Sequence, residues 1–150
     1  MNIQRVKQGA KITYYNGIYM ILVGIFYSVF VNLNMQLIFK GMGESWTFFL
    51  RYSPKIAGLF FLYNILIGVF MVSNGIFVIY LSDFIIKRKE KITWVILFLS
   101  GIVSWVGLLI MSILFKNWTL IIMGAIGWLT FVIGMILPIQ YYLEKNYREY

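Results

Sequence analysis

The chain has 150 residues, of which 61% are hydrophobic and 12% charged, with a formal net charge of +8 and neither cysteine nor histidine. An ordinary soluble domain carries roughly 25% charged residues, so this composition excludes a water-soluble core and points to one polytopic membrane domain over residues 1–150. Missing Cys and His exclude disulfides, thiolate or imidazole metal sites, His-ligated haem and the usual nucleophile–base pairs; neither an enzyme nor any cofactor or metal is expected.

The chain opens with Arg5, Lys7 and Lys11 alternating with Ile3, Val6 and Ala10, which reads as a short helix lying along an interface. An apolar run over 12–39 follows. It is far longer than the 7–15 residues or so of a signal-peptide core, and it reads as a retained first span. On a helix, Thr13, Gly17, Gly24 and Ser28 fall within about 60° of one another, a face suited to close helix contact. Asn32, Asn34 and Gln36 gather near the far end of this span.

Residues 40–54 break the apolar pattern with glycine, serine, charge and proline, while Trp46, Phe48, Phe49 and Tyr52 mark an interfacial aromatic segment. The second span, 56–86, is the organising element. At about 100° per residue, Ala57, Asn64, Gly68, Gly75 and Ser82 lie within roughly 20° of one line, which predicts a packing seam. Lys87, Arg88, Lys89 and Lys91 separate it from a third span over 92–115, whose small face is Thr93, Ser100, Ser104 and Gly107. Lys116 and Asn117 leave room for a tight turn. The fourth span, 118–143, carries Gly124, Gly127 and Gly134 along one side, with Pro138 placed to kink its end.

Arg5, Lys7, Lys11, Lys87, Arg88, Lys89, Lys91, Lys145 and Arg148 fall on one side of this arrangement, and Lys40, Arg51, Lys55 and Lys116 on the other. The positive-inside rule then predicts an all-α four-helix bundle with both termini cytoplasmic, in the cell membrane. Orientation and attraction to anionic headgroups account for the basic charge, and no nucleic-acid partner is expected.

Few residues could carry chemistry. Asp83 is the one acid inside an apolar run; it stands one turn before Lys87, in the order that favours an ion pair over an intramembrane coupling site. Asn64 and Asn74 lie deep in the second span, where an amide can bond across a helix pair or contact a ligand or solute; Asn32 and Gln36 are further candidates for such contacts. Trp105 and Trp128 suit the gaps that glycines leave.

In outline, passages such as YYNGIYMILVGIFYSVF and KIAGLFFLYNILIGVF resemble small four-helix bacterial membrane families, the DoxX-like proteins among them. The resemblance covers architecture alone and implies four spans, short loops and both ends inside. The expected role is non-catalytic: an accessory or assembly subunit, or a binder of lipid or a hydrophobic small molecule. Membrane lipid, another membrane protein or a second copy of the chain are the expected partners. The alternative is a small oligomeric channel or transporter, resting on the amide residues.

Overall fold

The computed structural model of the protein describes residues 3–88 and 90–144, with side chains as far as Tyr142. Lys89, Lys145 and Arg148, which entered the charge count above, lie outside the described residues. The described residues form seven helices in chain order: α1 (Ile3–Val29), α2 (Val31–Gly41), α3 (Trp46–Tyr52), α4 (Pro54–Arg88), α5 (Lys91–Leu114), α6 (Trp118–Ile136) and α7 (Ile139–Glu144). Among the described residues there is no strand. By length and composition, α1, α4, α5 and α6 are each long and apolar enough to cross a membrane.

The first helix differs from the expected 12–39. It is helical from Ile3, with Val6, Gly9 and Ala10 buried; a β-carbon on Gly9 would stand 2.5 Å from the Gly134 carbonyl oxygen, near the end of α6. The basic opening is therefore part of α1. At the other end the rod bends at Phe30 (φ −97°, ψ 40°), while the bonds Phe30 N–H to Phe26 O and Asn34 N–H to Phe30 O, both 3.0 Å, carry the ladder through. The bend turns α2 inward, so that Val31, Met35 and Ile38 are buried.

The interfacial aromatic segment is α3. Its Trp46 and Phe49 rings sit 5.0 Å from the Phe39 ring, and Phe60 of α4 stands edge-on to Phe39 and Phe49. This cluster holds α3 across the ends of α2 and α4. The α5–α6 connection is as tight as expected. Lys116 adopts φ 49°, a left-handed conformation uncommon outside glycine, and the Asn117 side chain accepts the Leu120 N–H at 3.3 Å to cap α6. The fourth helix stops at Ile136 instead of 143. Pro138, which has no N–H to continue the ladder, opens a turn before α7.

The long helices form a ring in the order α4, α1, α6, α5. The α1–α4 interface is the most extensive, α1–α6 and α5–α6 are intermediate, and α4–α5 is the slightest of the four. Arg5, Lys7, Lys11, Lys87, Arg88 and Lys91 lie at one end of this ring and Lys40, Arg51, Lys55 and Lys116 at the other. The contacts agree: the Arg5 guanidinium donates to Gln140 at 3.1 Å, and Gly41 abuts the carbonyls of Phe115 and Lys116.

Candidate functional site

The residues of the α4 line all face inward. Ala57, Asn64, Gly68, Gly75 and Ser82 are buried, and from Asn64 to Ser82 their partner is α1, running antiparallel. A β-carbon on Gly68 would stand 2.6 Å from the Gly24 carbonyl oxygen, and one on Gly75 would stand 2.8 Å from that of Gly17. Backbone therefore meets backbone at two levels about two turns of helix apart, an approach that side chains larger than hydrogen forbid. Polar bonds close the two ends of this seam. Ser82 donates to Thr13 at 3.0 Å, and the Asn64 amide donates to the Tyr27 carbonyl at 2.8 Å while accepting from Asn34 at 2.6 Å.

Of the three polar residues grouped at the end of the first span, the structure buries Asn34 alone. Asn32 and Gln36 are exposed on α2. Helical phase is the reason: Asn34 lies seven residues beyond Tyr27 and three beyond Val31, both buried, whereas its two neighbours point to other faces.

A second polar knot was not anticipated from the sequence. Asn16 is buried, donates to the Gly127 carbonyl at 2.7 Å and to Thr130 Oγ1 at 2.8 Å, and accepts the Trp105 indole N–H at 2.9 Å. It thus ties α1 to both α5 and α6. Tyr19 adds to it by stacking on Trp105 at 5.7 Å and donating to the Met123 carbonyl at 3.1 Å. Trp105 lies over Gly127, filling the space that the missing β-carbon leaves; Gly124 similarly admits Leu108 and Leu109, and Gly134 admits Thr13.

Between α4 and α5 the packing changes character. Asn74 bonds to α5 through Ser104 and accepts the Ser100 hydroxyl at 2.6 Å, pinning the two helices at mid-length. Toward α3 they part. The gap is a cavity of about 550 Å³ whose surface is almost wholly apolar. Its floor is buried and comes from Tyr27, Met35, Met71, Leu108 and Leu120. Its rim, at Tyr63, Leu66, Phe70 and Val103, is open to the surroundings, and Phe60 links its end to the aromatic cluster under α3.

Gly107 belongs to this cleft. The sequence placed it on a packing face with Ser100 and Ser104, yet it is exposed, and a β-carbon added there would meet nothing within 4 Å. The correction has a simple cause. Gly101, six residues earlier, is the α5 glycine that faces α6, with the Phe131 ring against it; Gly107 looks instead into the gap that α4 leaves. Asn64 and Ser112 also line the cleft, but their polar atoms are engaged within the protein, Ser112 donating to the Leu108 carbonyl at 2.7 Å.

Asp83 is bonded to Lys87 at 2.6 Å on the surface, as i, i+4 spacing favours. Among the described residues no group of His, Cys, Asp and Glu is placed to hold a metal ion. Comparison with protein-family models, with curated proteins and with solved structures finds no match to this chain.

Proposed function

We propose that the protein crosses the cell membrane four times with both termini in the cytoplasm, and that it acts without catalysis by binding a hydrophobic molecule, a lipid chain or an apolar small molecule, in the α4–α5 cleft. The observation that carries this reading is the cleft itself. About 550 Å³ falls within the roughly 300–1,000 Å³ of small-molecule sites, and its mouth faces outward from the ring, where lipid would lie. Gly107 strengthens it. Glycine inside a helix costs about 1 kcal/mol relative to alanine, and here no neighbouring helix requires it; what it preserves is open space in the cleft wall. The amides of Asn16, Asn64 and Asn74 bond to neighbouring helices, which favours binding over a water-lined transport path.

The experiment pairs two glycines that are both free of neighbours. Gly107→Phe fills the cleft, whereas Gly58→Phe places the same ring at an equally open position outside it. After purification in mild detergent and solvent extraction, mass spectrometry should find one hydrophobic species with the parent and with Gly58→Phe, and little with Gly107→Phe. Equal recovery from all three, or from none, refutes the reading. Because the chain has no native cysteine, Ser45→Cys and Glu90→Cys test the orientation: an impermeant thiol reagent should label the first in intact cells and the second only after permeabilisation.

A further inference from the structure

At the end of the ring opposite the cleft, a depression of about 620 Å³ lies across α1 and α4. Lys7 and Lys11 stand one turn apart on its α1 side, both exposed, and among the described residues neither meets a carboxylate. The acid on the α4 side, Asp83, is already neutralised by Lys87. Two unpaired cations are thus left facing a concave surface, beside the amide of Gln8 and the exposed phenols of Tyr14 and Tyr15. This donor set suits a phosphate.

What lies next to it distinguishes the source of that phosphate. From Tyr15 along α1, Ile18, Leu22 and Ile25 are all exposed and share one face, so the charged depression runs straight into an apolar strip. On the α4 side Ile76 and Tyr80 are exposed as well. A soluble phosphate has no use for such a strip, whereas a molecule with an anionic head and apolar tails would cover both surfaces. We infer that this groove is a site for an anionic phospholipid, its phosphate held by Lys7 and Lys11 and its acyl chains lying along Ile18, Leu22 and Ile25. The site rests on the proposed membrane residence but not on the cleft having a ligand.

The test uses the full chain in detergent micelles with equal amounts of phosphatidylglycerol and phosphatidylcholine, and counts retained lipid by native mass spectrometry. The parent should prefer phosphatidylglycerol. Lys7→Gln with Lys11→Gln should weaken its retention by about 30-fold at low salt, roughly fivefold per lysine. The difference should fall away near 1 M salt, where the screening length is about 3 Å. Lys7→Arg with Lys11→Arg should keep the preference, as should Lys40→Gln with Lys55→Gln, which removes equal charge from the other end. An unselective parent, an unchanged Gln pair, or a loss as large in the Lys40/Lys55 pair overturns the site. Displacement of the lipid by millimolar glycerol 3-phosphate would assign the groove to soluble anions and overturn it too. Extraction of the same membranes with alkaline carbonate tells whether the chain is integral, separating failure of the site from failure of the membrane reading.

Discussion

Helix α4 meets two neighbours in opposite ways. Against α1 it is as close as backbone allows, with glycine facing glycine and polar bonds at both ends; against α5 it is held at Asn74 and then stands apart. The first contact leaves no room for a side chain at its glycines, whereas the second leaves a gap that none of the described residues fills. One helix therefore supplies both the close-packed seam and one wall of the open cleft. Close packing at the seam is what allows the other face to stay unfilled.

Gly68→Leu should break this contrast most severely. The Gly24 carbonyl cannot retreat without unwinding α1, so the cost is about 3 kcal/mol or more, read as loss of folded protein in a detergent melt. Asn16→Leu comes next. It strands the Trp105 indole N–H inside the protein, at about 2 kcal/mol, and loosens α1 from α5 and α6 while leaving the α1–α4 seam intact. Asn74→Ala should cost only about 1 kcal/mol but blur the comparison from the loose side. Spin labels at Leu66→Cys and Val103→Cys, on opposite rims of the cleft, should then show a broader distance distribution; an unchanged one would mean that Asn74 does not set the gap. The smallest effect sharpens the contrast. Gly107→Ala should stabilise by up to about 1 kcal/mol, because alanine favours the helix and meets nothing, while Gly101→Ala destabilises against the Phe131 ring.

The rigid side was the legible one. Seam residues on α4 recur at steps of seven and four, so a helical wheel aligns them without any knowledge of the partner, and the apolar runs placed the ends of α4 and α5 within two residues. Asn16 escaped because it stands beside Tyr14 and Tyr15, where polarity reads as nearness to an interface; its phase, three residues beyond Thr13, was the available signal. The bend at Phe30 has neither glycine nor proline to announce it, and arises from the burial of α2 against α4. The cleft left no trace in the sequence. A gap is a property of two helices diverging, and Gly107 carries the same letter as the glycines that pack.

Asn16 also imposes an order in time. Its partners Trp105 and Thr130 are encoded 89 and 114 residues later, whereas the partners of α1 in the seam arrive with α4. At about 5–20 residues per second of synthesis, Trp105, the first of these partners, emerges roughly 4–18 s after Asn16, and until then the amide has none of its final bonds. The α1–α4 seam can thus be completed from the first half of the chain alone, whereas the Asn16 amide stays uncommitted until the second pair of helices arrives.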